Sequence, residues 1–224
     1  MTTLYFDIET LPVEESSYDK LKYLFDKKLA KERLKRNKKI KSGEEKSYAD
    51  DDKCSKSFED FLNYTSFDGG FGRVLCIGYA IDNQPTEVLC NDGNEKKTLE
   101  EFWDVAQDCD LFVGHNIMDF DFKFIYQRSI VLGVKPTIPN LSFARYRSSP
   151  IYDTMKEWAK WDTMNKVGLE HIALALGIPS PKEGIDGSQV AQVYSEGGVE
   201  EICEYCKRDV ETTRAVYKRM VFLN

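Results

Sequence analysis

The chain has 224 residues, 42% of them hydrophobic and 12% aromatic, with 38 acidic against 31 basic side chains for a net charge of −7. That length and apolar content can bury a full core, so a single folded domain spanning residues 1–224 is expected rather than a disordered polymer. No apolar run approaches the roughly 20 residues of a membrane-spanning helix, and the N-terminus enters a β-prone run without a signal-peptide pattern, so a cytoplasmic protein with no membrane attachment is expected.

In chain order, Thr3-Leu4-Tyr5-Phe6 predicts a buried strand with Asp7 and Glu9 near its end. Residues 14–58 are expected to form an insert. Tyr18, Leu21, Phe25 and Leu29 recur at helical spacing, Lys and Arg crowd the stretch from Lys27 to Lys41, and acidic and small residues from Ser42 to Asp52 resemble a linker. A basic helix on an otherwise acidic body either attracts a phosphate backbone or docks another protein.

Residues 72–81 and 86–90 read as two strands of a hairpin around Asp82-Asn83-Gln84-Pro85. A helix is expected over Leu99–Ala106, a strand over Leu111–Gly114, and a helix over Asp121–Leu132, where Phe120, Phe124 and Ile125 carry the apolar spacing. Pro136–Pro150 is loop-like. It holds Arg145 and Arg147 with Phe143 before them and Tyr146 between, a pattern that suits either a single nucleic-acid strand or a solvated surface. A short strand follows at Ile151–Met155, whose Asp153 is either a fifth acid near the others or a helix cap. Short helices are expected at Leu169–Leu176, ended by Gly177, and at Ser188–Tyr194, then a long one from Val199 to Tyr217. Strands clustered early and helices later predict an α/β fold, a mixed sheet flanked by helices.

Four carboxylates stand out. Alternation along the first strand puts Asp7 and Glu9 on one face, where two adjacent acids repel unless they share a proton or a cation. An all-oxygen ligand set favours Mg²⁺ or Mn²⁺ over zinc. Asp121 falls in the first turn of its helix, where it is either a ligand or a complement to the helix dipole. Tyr205 and Asp209 are one turn apart on the last helix; the phenol either holds a water near Asp209 or packs against the sheet. The six cysteines are scattered, several in apolar runs, so buried thiols are expected rather than disulfides, and Cys203-x-x-Cys206 is read as helix packing.

Taken together and in this order, Asp7-Ile8-Glu9-Thr10, Asn116-x-x-x-Phe120-Asp121 and Tyr205-Cys206-Lys207-Arg208-Asp209 resemble the DEDD superfamily of 3′-5′ exonucleases, which share an RNase H-like fold. Glu204 occupies the position where the His subclass carries its histidine, so the chain is similar to the Tyr subclass, and within it to the exonuclease domain of family B DNA polymerases. Lys182–Val190 also resembles stand-alone bacterial proteins predicted to be such exonucleases. The resemblance implies two divalent cations, Mg²⁺ or Mn²⁺, held by Asp7, Glu9, Asp121 and Asp209, with Tyr205 positioning the attacking water. It implies substrate contacts from Thr10 and Asn116, to which Arg145 and Arg147 are added from their loop. The expected activity is removal of 5′-mononucleotides from the 3′ end of single-stranded DNA or RNA, DNA being favoured, with a polymerase or repair protein as partner. Two rivals are a catalytically silent nucleic-acid-binding domain on the same fold and an RNase H-like endonuclease.

Overall fold

The computed structural model describes residues 1–42, 57–164, 166–180 and 184–223. Five strands form one mixed sheet: β1 (Thr3–Leu11), β2 (Arg73–Ile81), β3 (Glu87–Leu89), β4 (Leu111–Gly114) and β5 (Ile151–Asp153), in the order β3-β2-β1-β4-β5. β1 runs antiparallel to β2 and parallel to β4, and β5 is parallel to β4. Eight helices accompany it among the described residues: α1 (Tyr18–Lys41), α2 (Phe58–Asn63), α3 (Glu95–Ala106), α4 (Asp121–Leu132), α5 (Thr154–Trp158), α6 (Leu169–Ala175), α7 (Val190–Ser195) and α8 (Val199–Met220).

β1 is central and is covered on both faces, which explains its near-continuous apolar sequence. Leu4, Phe6 and Ile8 point into the main core against Phe102 and Trp103 of α3 and Phe122 and Ile125 of α4. Phe6 packs at 5.0 Å from Phe102 and 4.8 Å from Phe122. The opposite face carries Tyr5, Asp7 and Glu9 and lies under α8. There Val210 and Tyr217 join Tyr5, while Tyr205 and Cys206 join Leu75 and Cys76. Gly78 on β2 allows this close approach: a Cβ there would meet Cys206 Sγ at 2.9 Å and Val210 Cγ2 at 3.1 Å.

A buried ion pair ties the layers together. Arg128 of α4 makes a fork to Glu95 at the start of α3, with Nε–Oε1 and NH2–Oε2 both 2.8 Å, and Glu95 Oε1 also accepts the N–H of Val74 at 2.7 Å. The expected helix of the insert forms as α1, whose Leu21 is fully buried with Val13 and Leu62. The acidic linker, apart from Ser42, lies outside the described residues.

Several expected boundaries shift. α2 was not expected; it is one and a half turns long, and its start is a capping box in which Ser57 and Asp60 each receive the other's backbone N–H. α3 begins four residues before Leu99, capped by the Asn94 side chain. The strand expected to reach Met155 stops at Asp153, because that carboxylate accepts the N–H groups of Met155 and Lys156 and starts α5. α8 continues to Met220.

Candidate active site

β4 pairs only with Thr3–Tyr5 of β1 and ends at Gly114, so β1 beyond Tyr5 has an open side. The N-terminus of α4 closes that gap. Asp121, 2% exposed, accepts the unpaired N–H of Ile8 through Oδ1 at 3.2 Å. This bond holds the Asp121 carboxylate beside the strand that carries Asp7 and Glu9. A β-bulge follows at Glu9/Thr10, so alternation is unbroken between the two acids and both stay on the α8 face.

α8 crosses that face and brings Tyr205, Cys206 and Asp209 over it. An oxygen of Asp7, an oxygen of Glu9 and Cys206 Sγ all lie within 4.8 Å of one another. Asp121 and Asp209 flank this group, close enough for their charges to act on Asp7 and Glu9. The Tyr205 hydroxyl is hydrogen-bonded to Asp209, and the ring is 7% exposed against the segment at Ile185 and Gly187. Of the segment Lys182–Val190, residues 182 and 183 lie outside the described residues.

The electrostatics follow from this crowding. Burial drives the Asp7 carboxyl well above the usual range, and Cys206, Asp121, Asp209 and Glu9 push it further. Glu9 is raised for the same reason, burial first and then Asp209 and Asp121. Asp121 is pushed up to about 7 by burial, against the opposing pull of the Ile8 N–H. The Tyr205 phenol is raised by burial and by the neighbouring carboxylates, so it stays protonated and remains a donor. Four acids gathered in one buried place are stable in ionised form only with added positive charge. Their oxygen donors suit a hard divalent cation.

The remaining expected residues divide. Asn116, between β4 and α4, adopts a left-handed conformation (φ 61°), and its buried Oδ1 has no hydrogen-bond partner. Thr10 follows Glu9, but its hydroxyl is committed to the carbonyl of Ser66 at 2.7 Å. Arg145 and Arg147 are exposed on the loop before β5, and Phe143 turns inward onto Phe122 and Tyr126. Asp153 combines the roles of strand end and clamp. Besides capping α5, it accepts the N–H groups of Asn116 at 3.1 Å and Met118 at 3.2 Å, so it fixes the loop that leads into Asp121.

The five described cysteines are all free. Cys203 and Cys206 pack with Cys76 and Cys90 in the apolar layer under α8, in keeping with a packing role for the pair. One contact was missed in the sequence: Cys206 Sγ lies 3.8 Å from Asp7 Oδ2. The signal was present, because Cys206 is three residues before Asp209 and therefore on its helix face.

Among the described residues no helix is long and apolar enough to cross a membrane. A family model described as a predicted 3′-5′ exonuclease related to the exonuclease domain of PolB matches residues 80–224. An uncharacterized protein of Methanocaldococcus jannaschii is 27% identical over 158 residues, covering 66% of this chain and 86% of that protein. The family B DNA polymerase of the hyperthermophilic archaeon Pyrobaculum calidifontis superimposes with a TM-score of 0.65 at 15% identity, over 99% of this chain and 24% of the polymerase. The mixed five-stranded sheet flanked by helices is thus an RNase H-like α/β fold similar to that of the polymerase exonuclease domain.

Proposed function

We propose, from the premise that the chain belongs to the family of predicted 3′-5′ exonucleases related to the exonuclease domain of PolB, that it removes 5′-mononucleotides one at a time from the 3′ end of single-stranded DNA. The observation that carries this reading is the convergence of Asp7 and Glu9 from β1, Asp121 from α4 and Asp209 from α8 on one buried acidic point, with the Tyr205 hydroxyl on Asp209.

Two divalent cations, Mg²⁺ or Mn²⁺, held by these four carboxylates would supply Lewis-acid activation of water and neutralise charge developing on the leaving 3′ oxygen. The protein's own groups do the rest. Ile8 N–H and Asp153 fix Asp121 and its loop, so the acidic point is preorganised before substrate arrives. Tyr205, kept neutral by burial and by donating its hydroxyl hydrogen bond to Asp209, accepts a hydrogen bond from the attacking water and sets its line of approach to phosphorus. Asn116, whose buried amide oxygen the fold leaves unpartnered, would have to turn toward the terminal nucleotide when the strand binds. The enzyme is read as cytoplasmic, with a polymerase or repair protein as a partner.

The test compares linear and circular single-stranded DNA, with an RNA strand alongside, in Mg²⁺ or Mn²⁺. Linear DNA should yield 5′-mononucleotides while circles survive. Cleavage of circles would identify an endonuclease, and an intact linear strand under every condition would identify a silent binding domain.

A further inference from the structure

Beside the acidic point lies a second concave site that the carboxylate chemistry does not use. It is lined by Arg145 and Tyr146 from the loop before β5, Lys156 from α5, and Trp161 and Lys166 beyond it, with Asp119 and Asp162 as its acids. Asp119 is two residues before Asp121, so its Cα lies within about 7 Å of that of Asp121, roughly the length of one nucleotide.

The backbone here is unusual. Tyr146, Lys160 and Trp161 all adopt left-handed conformations, with φ of 63°, 49° and 66°, and none is glycine. Aromatic residues seldom take this conformation unless the surroundings impose it, and such strain gathers where a side chain must be presented in one orientation. Here it presents two rings to each other, centroids 5.2 Å apart at 44°. Trp161 is further pinned by its indole N–H on Glu157 Oε1 at 3.1 Å. Tyr146 is 74% exposed, so one face of its ring is open. Lys156 is bonded to Asp119 at 2.7 Å and lies 5.9 Å from the centre of the Trp161 ring, which offsets the charge of Asp119 within the pocket.

Aromatic faces with interleaved cations are what a single strand needs: any base has a π face to stack, and Arg and Lys meet its phosphate. We propose that this pocket is a nucleotide subsite, holding a base of the single strand on the 5′ side of the nucleotide being removed. The base stacks on the open face of Tyr146, backed by Trp161, with its phosphate between Arg145 and Lys166. The proposal rests on the exonuclease reading. Because stacking is indifferent to base identity, the subsite favours strand length rather than sequence.

Two measurements test it. In the first, anisotropy of labelled (dT)8 is followed with Ca²⁺ for the wild type, Tyr146→Ala, Trp161→Ala and the conservative Tyr146→Phe and Trp161→Phe. Kd should rise about tenfold in each alanine variant and return close to wild type in each phenylalanine variant. Unchanged Kd in the alanine variants, failure of phenylalanine to rescue, or displacement of (dT)8 by equimolar thymidine monophosphate overturns the subsite.

In the second, hydrolysis of (dT)8 is compared with that of the p-nitrophenyl ester of thymidine 5′-phosphate, which has no upstream base. The ratio of the two kcat/KM values should fall about tenfold in the alanine variants, through KM for (dT)8. An unchanged ratio overturns the proposal. If the wild type hydrolyses neither substrate, the exonuclease reading fails, and the anisotropy arm still decides the subsite by itself.

Discussion

The Oδ1 of Asp121 accepts the backbone N–H of Ile8 at 3.2 Å, the residue between Asp7 and Glu9. One hydrogen bond thus joins two of the three acidic motifs, 113 residues apart in sequence. It exists because β4 is short: a longer β4 would have taken that N–H into the sheet and left no place for the carboxylate. The acids are held together by backbone pairing that is complete without any cation, at the cost of mutual repulsion.

Relief of that repulsion should be visible in Asp7→Asn. The substitution should reduce turnover by about 10³-fold or more, as loss of a group that supports charge at the reacting centre does. In the metal-free protein it should raise Tm, because the buried charge is removed while the shape is kept. Thermal melts in EDTA, read beside the activity, check both; a lowered Tm would mean that Asp7 is a structural acid.

The raised pKa of Asp121 sets a pH dependence. Its folded value of about 7 exceeds the ordinary 3.8, so between those values the folded state binds more protons than the unfolded one. Stability from this group is therefore present at low pH and lost as pH rises from about 4 through about 7, by on the order of 2–4 kcal/mol. Metal-free wild type should lose stability relative to Asp121→Asn between pH 5 and pH 7.5 in urea melts. His115, lowered to about 4 by burial, has the opposite slope but is common to both proteins and cancels. Parallel pH profiles would contradict the assignment.

Tyr205→Phe isolates the hydroxyl. The ring fills the same space among Leu11, Ile185 and Ile202, so the fold should persist. Expected is a 10- to 100-fold lower kcat with KM nearly unchanged, smaller than the loss at any of the four acids. A loss equal to that of Asp7→Asn would assign the phenol a larger role than orienting water.

The Arg128–Glu95 pair makes a prediction about stability alone. Both side chains are largely buried, 7% and 13% exposed, and Glu95 also holds the start of β2. Glu95→Ala leaves a buried guanidinium unpaired and should cost about 3–5 kcal/mol in denaturant melts. A change below about 1 kcal/mol would mean that water replaces the carboxylate.

Much of this architecture was legible because period and burial agree. The alternation of Leu4, Phe6 and Ile8 against Tyr5, Asp7 and Glu9 fixes the two faces of β1, and the four-residue spacing of Tyr205 and Asp209 fixes one face of α8. What escaped depended on contacts between distant segments. Nothing near Asp153 says that it will reach back to Asn116 and Met118, and nothing in the order of Tyr146 and Trp161 says that their rings will meet. α2 escaped for a different reason: at six residues it is too short for periodicity, and only the Ser57–Asp60 box announces it.

The most direct measurement is the direction and metal dependence of degradation of a 5′-labelled single-stranded DNA oligonucleotide, beside a 3′-blocked copy and an Asp7→Asn control. The account predicts a ladder shrinking one nucleotide at a time from the free 3′ end, in Mg²⁺ or Mn²⁺ only, with neither the blocked strand nor the control degraded. Shortening of the blocked strand, or equal activity in EDTA, would contradict it.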